Sequence, residues 1–177
     1  QLLRVGAARR VLGGGGGWRC GGGGRGVPQR VVVRGGDRAR AVWAAIPVGG
    51  GVALGLPAGG ADETSVQQVL RNLLSNAAKY SAAGAVVDVC VEAAPGGVAM
   101  RVRDHGAGID PDEAESLFDP FYRSPKTAKM AGGAGIGLYV SRRLVDAMGG
   151  RISVSAADGG GSEFTVVLPF YQGELSD

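Results

Sequence analysis

Between positions 62 and 80 the apolar residues recur at helical spacing. Val66, Val69, Leu70, Leu73, Leu74 and Ala77 share one face of a 3.6-residue period. Thr64 followed by Gln67 fits a capping box, so the pattern predicts a helix from there to about Tyr80. Residues 85–92 (AVVDVCVE) alternate as a half-buried strand does, and VAMRVRD (98–104) repeats that period after the hairpin signal Pro95-Gly96-Gly97. A polar, loop-rich stretch runs from about Ile109 to Ala134. A second amphipathic helix then covers about 136–148 and stops at Gly149-Gly150. RISVSA (151–156) and EFTVVLP (163–169) predict a closing hairpin around a glycine turn. The expected fold is α+β: a two-layer sandwich of a mixed, mostly antiparallel sheet with helices on one face.

The first third of the chain lacks such patterns. The chain has 177 residues and 34 glycines, of which 19 fall in the first 61 positions. GGGGGW and CGGGG bury too little side chain to offset backbone entropy, so residues 1–27 are expected to form a flexible Gly/Arg-rich tail. Residues 28–61 are expected to be a Gly-rich, strand-forming lead-in, with RVVVR (30–34) and VALGL (52–56) as strand candidates. One domain follows over 62–170, then a tail over 171–177. Residues 41–61 are uncharged over a length that could span a bilayer. Six glycines and two prolines in that stretch favour a broken pair of strands over a membrane helix. The start lacks the long apolar core of a secretory signal. The chain begins with Gln1 rather than Met, which suggests a part of a longer polypeptide. A net charge of +3 is too small for a nucleic-acid-sized patch, so no nucleic-acid partner is expected. Two cysteines, Cys20 and Cys90, make neither a disulfide framework nor a zinc site; a reducing, cytoplasmic location is the simplest expectation.

Four features could carry chemistry. On the first helix Gln68, Asn72, Asn76 and Lys79 fall on one arc, with Asn76 nearest the apolar border. A half-buried amide oxygen there could ligate magnesium, and Lys79 could meet a phosphate; the plain alternative is a solvated polar face. Asp104 ends a strand on the same face as Val98, Met100 and Val102, so it is expected to face the core and to need a donor. The following Gly106 and Gly108 let a flat group approach the backbone, and a buried acceptor there suits an exocyclic amine. The alternative is an aspartate capping its own turn. His105, the only histidine, falls on the outward face and is expected to be solvated rather than catalytic, which leaves no histidine-based triad or metal site. Gly132, Gly133, Gly135 and Gly137 lead into the second helix, whose start would be an anion site or merely a hinge. The long loop before it holds Phe118, Phe121 and Tyr122 beside Arg123, Lys126 and Lys129; the aromatics could pack a lid and the bases could meet phosphates.

In order, RNLLSNAAKYS, DHGAGID, LFDPFYR, GGAGIGLYVSRRLVDAMGG and GGGSEFTVVLP resemble the N, G1, F, G2 and G3 boxes of the catalytic ATP-binding domain of sensor histidine kinases, over about 62–169. The resemblance implies a Bergerat-type site for ATP and Mg2+. Asn76 would hold the metal beside Asn72, and Lys79 and Tyr80 would face the phosphates. Asp104 would accept from the adenine amine, flanked by Gly106, Gly108 and Ile109. Gly133, Gly135, Ile136, Gly137 and Leu138 would border the phosphates under a lid held by Phe118 and Phe121. Arg123 would contact the γ-phosphate, and Thr165 would support the adenine pocket. It implies a kinase whose histidine substrate lies outside this chain, on a phosphoacceptor domain upstream or on a separate protein, with a response regulator downstream. Nothing here resembles the phosphoacceptor hairpin. The rival readings are a non-catalytic ATP-binding switch and an anti-sigma-type serine kinase, against which the LFDPFYR box argues.

Overall fold

The computed structural model describes residues 62–169, apart from 83, 84, 86 and 129–131. The expectations for residues 1–61 and 170–177, for Cys20 and for Lys129 lie outside the described residues; Cys90 is disulfide-bonded, which departs from the expectation of a reducing setting. Among the described residues no helix is long and apolar enough to cross a membrane.

Helix α1 spans Glu63–Tyr80. Its N-cap is Asp62, not Thr64: the Asp62 carboxylate accepts from the Ser65 amide at 2.7 Å. The cap belongs two residues earlier because Asp62 is the last extended residue, with Thr64 already inside the helix. Hydrogen bonds from Ser65, side chain first and amide second, hold the Asp62 carboxyl below its usual pKa.

Strands β1 (Asp88–Ala94) and β2 (Gly97–Arg103) form a hairpin, and β3 (Arg151–Ala156) and β4 (Ser162–Pro169) form another. The sheet order is β1-β2-β4-β3, with β2 and β4 at its centre. All three pairings are antiparallel, so the described sheet is antiparallel throughout rather than mixed. Helix α2 (Gly137–Ala147) lies between the hairpins in sequence and packs with α1 on one face of the sheet.

The core follows from the two periods. Leu70, Leu73 and Leu74 of α1 are buried against Val102 of β2, Val166 of β4 and Val145 of α2. Each such side chain contributes roughly 1.5–3 kcal/mol. The predicted loop over 109–134 is punctuated by two 3₁₀ turns, Pro111–Glu113 and Ser116–Phe118. The second drops Phe118 into the core at 2% exposure, and this anchors the loop to the body.

Candidate functional site

Asp104 follows β2 by one residue, which continues the inward face of Met100 and Val102. It is 4% exposed. Its Oδ1 accepts from the Gly106 amide at 2.9 Å and the Ser162 amide at 3.2 Å, while its own amide donates to the Ser162 carbonyl at 2.9 Å. Burial pushes the Asp104 carboxyl above its usual pKa, against the lowering effect of the Gly106 and Ser162 hydrogen bonds. Both main-chain amides fall on Oδ1, so Oδ2 keeps acceptor capacity, and the Ser162 side chain also bonds the carboxyl.

Two glycines make this arrangement possible. A Cβ on Gly106 would sit 2.3 Å from the Tyr80 carbonyl oxygen, so the turn after Asp104 can touch the end of α1 only without a side chain. A Cβ on Gly161, at φ +90°, would sit 2.0 Å from the Asp104 carbonyl oxygen. The β3–β4 turn therefore reaches Asp104 through a residue that only glycine can be.

Across the cavity stands the polar arc of α1. The Asn72 Nδ2 donates to the Gly137 carbonyl and to the Ser141 Oγ, each at 3.1 Å, which ties α1 to the first turn of α2. Asn76 is half-buried one turn further on and lines the cavity, and Lys79 is exposed at its edge, with Nζ 3.7 Å from where a Cβ on Gly133 would lie. The start of α2 has no side-chain cap and no acidic residue in its first turn. Among the described residues its leading amides thus have no side-chain cap, and Ile136, Gly137 and Leu138 line the same cavity. The lid closes the third side, with the Lys126 Nζ donating to the Ala107 carbonyl at 2.8 Å.

These elements enclose a cavity of about 240 Å³. Of the residues expected at a site, it is lined by Asn72, Asn76, Lys79, Tyr80, Asp104, Gly108, Ile109, Arg123, Gly133, Gly135, Ile136, Gly137 and Leu138. Three others lie elsewhere. Gly106 sits behind Asp104, holding its carboxylate by the amide. Phe118 is in the core beneath the lid, with the Arg142 guanidinium 5.2 Å from its ring centre. Thr165 is on the other face of β4, opposite Arg101 and Ser153, because Phe164 and Val166 take the inward positions. The residue that supports Asp104 is instead Ser162, two before Phe164. Strand alternation counted back from Phe164 was the signal for it. Phe121, expected to pack the lid, is 72% exposed. His105 is not simply solvated: its Nε2 lies 3.1 Å from Oδ2 of the fully buried Asp88, which ties the turn to β1.

A protein-only metal cage is not formed here, since no group of three or more His, Cys, Asp or Glu side chains converges among the described residues. The single amide oxygen of Asn76 fits a cation that takes its other ligands from phosphates and water, as magnesium does.

A family model described as histidine kinase-, DNA gyrase B- and HSP90-like ATPase matches residues 61–172. The sensor histidine kinase RcsC of Escherichia coli (strain K12) is 41% identical over 111 residues, which are 62% of this chain and 12% of that protein's length. Full-length ShkA, solved in complex with AMPPNP, superposes with a TM-score of 0.58 at 36% identity, over 67% of this chain and 24% of that one. The mycobacterial sensor histidine kinase MprB gives a TM-score of 0.54 at 33% identity, over 61% of this chain and 72% of that one.

Proposed function

This chain belongs to the histidine kinase-, DNA gyrase B- and HSP90-like ATPase family and contains a histidine kinase catalytic ATPase domain, and from that premise we propose that it binds ATP in the cavity and transfers the γ-phosphate to a histidine outside this chain. The observation that carries the reading is the meeting of three groups in one cavity: a buried carboxylate, an amide oxygen and an uncapped helix start.

Each group has a part in that reaction. Asp104 accepts a hydrogen from the exocyclic amine of adenine, and Gly108 and Ile109 lie against the base. The first amides of α2 take phosphate oxygens and need no side chain to do so. Lys79 and Arg123 neutralise charge as the γ-phosphate leaves, so the protein's share of the chemistry is positioning and electrostatics. Asn76 is the residue that would hold Mg2+, which when bound supplies charge neutralisation on the phosphates. The base that takes the acceptor proton comes from the acceptor protein. The partners are then a phosphoacceptor histidine domain, in the same longer chain or separate, and a response regulator.

Titration calorimetry with Mg-ATP tests the site. The wild-type chain binds, and Asp104→Asn weakens binding at least about tenfold, because an amide NH2 then faces the adenine amine. Undiminished binding by the variant sinks the adenine assignment. Incubation with ATP and acceptor hairpins of candidate kinases tests the transfer, with acid-labile phosphate on the hairpin as the expected product. ATP binding without transfer to any cognate hairpin reduces the domain to a nucleotide switch, and acid-stable phosphoserine makes it a serine kinase.

A further inference from the structure

The lid contains a clasp centred on one carboxylate. Glu113 ends the first 3₁₀ turn, is half-buried, and accepts from two hydroxyls: Tyr122 Oη at 3.1 Å on Oε1 and Ser124 Oγ at 2.7 Å on Oε2. The turn beneath it is stiff. Pro111 occupies its start and the Asp110 carboxylate caps it at the Asp112 amide, 3.1 Å away. Ser124 is 7% exposed, so its hydroxyl has little water to fall back on. Burial, and next the Glu113 hydrogen bond and charge, push the Tyr122 phenol above its usual pKa, as expected of a phenol that donates to a carboxylate.

Tyr122 and Ser124 are two residues apart and reach one carboxylate, so Glu113 holds the residues on either side of Arg123. All three line the cavity, and Arg123 stands between the two held residues. It is exposed at the cavity, and its Nη2 donates to the Ala128 carbonyl of the same lid. An unrestrained arginine has about 2 kcal/mol of rotamer entropy to lose on meeting a phosphate. Backbone held on both sides removes part of that cost.

We propose that Glu113 is a positioning residue for Arg123, gripping the residues on either side so that the guanidinium stands ready for the terminal phosphate of the nucleotide. This rests on the reading of the cavity as an ATP site. Glu113 touches no substrate; it acts through the lid backbone. The consequence is selective: Glu113 matters for a nucleotide with a γ-phosphate and not for one without.

The test compares AMPPNP with ADP on the full 177-residue chain, with magnesium, by calorimetry. Glu113→Gln is expected to weaken AMPPNP about tenfold, equivalent to about 1.4 kcal/mol, and to leave ADP affinity within about twofold. Arg123→Ala should weaken AMPPNP similarly, and the double variant should be no worse than either alone. Tyr122→Phe combined with Ser124→Ala should reproduce Glu113→Gln while the carboxylate stays, which guards against a folding defect peculiar to position 113. The proposal is overturned if AMPPNP affinity is unchanged, if AMPPNP and ADP weaken together, or if the Glu113 and Arg123 losses multiply. If the wild-type chain binds neither nucleotide, the ATP-site reading itself fails and this inference goes with it, an outcome distinct from the other three.

Discussion

Asp104 concentrates the conflict between stability and function at this site. Its charge is buried, and burial outweighs its hydrogen bonds in raising the pKa. A carboxyl whose pKa is raised on folding binds more protons in the native state, so stability falls as pH rises from about the unfolded value toward the raised one. Above both values the penalty is constant. Asp104→Asn keeps an oxygen for the Gly106 and Ser162 amides and removes the charge. The variant is therefore expected to melt higher than wild type at pH 7 in the absence of nucleotide, and the advantage should shrink as pH drops below that window. Thermal denaturation at pH 7 and near pH 3.5 checks this; a variant less stable at both pH values contradicts the burial argument.

At the scale of elements, the site depends on how closely backbones approach one another. The β3–β4 turn meets the end of β2 where a Cβ on Gly161 would lie 2.0 Å from a carbonyl oxygen, at a φ that L-residues rarely adopt. Gly161→Ala combines a left-handed cost of roughly 1–2 kcal/mol with a backbone displacement, so a loss of at least about 2 kcal/mol is expected in urea denaturation. Since that displacement moves Ser162, nucleotide affinity should fall as well. An alanine at Gly159, where nothing lies within 4 Å, has a positive φ of its own but no clash. It should cost less and leave the cavity intact, which separates turn strain from contact with Asp104. The lid is fastened by backbone hydrogen bonds such as Phe121 to Gly135 and by side chains: Phe118 beneath Arg142, Lys126 on Ala107, and Glu113 on Tyr122 and Ser124.

At the scale of the whole molecule, one ligand would bridge α1, the end of β2, the lid and α2. A ligand that binds only the folded state stabilises it by mass action, by about 2.7 kcal/mol at a hundred times Kd. For a domain of this size that is a rise in Tm of about 10 °C. Mg-ATP is expected to produce such a rise in differential scanning fluorimetry, chelation of magnesium to reduce it, and Asp104→Asn to lose it. An equal rise with GTP contradicts selection through Asp104.

The elements and the boxed motifs were legible in the chain because hydrophobic period is a local property. Val66 to Ala77 could bury only as a helix, and Met100, Val102 and Asp104 share a face whatever the strand packs against. Where a residue's role depends on its neighbour across space, the sequence was silent or misleading. Alternation puts Thr165 and Ser162 on opposite faces of one strand, but only the register beside β2 brings Ser162 up to Asp104. The cap at Asp62, the partnership of His105 with Asp88, the burial of Phe118 and the grip of Glu113 are likewise set by backbone placement and not by residue type. Sequence determined which side chains exist at which period, and hence the layers. Tertiary structure alone decided which of them share a cavity, since that depends on distances between segments far apart in the chain, such as Asn72 and Gly137, 65 residues apart.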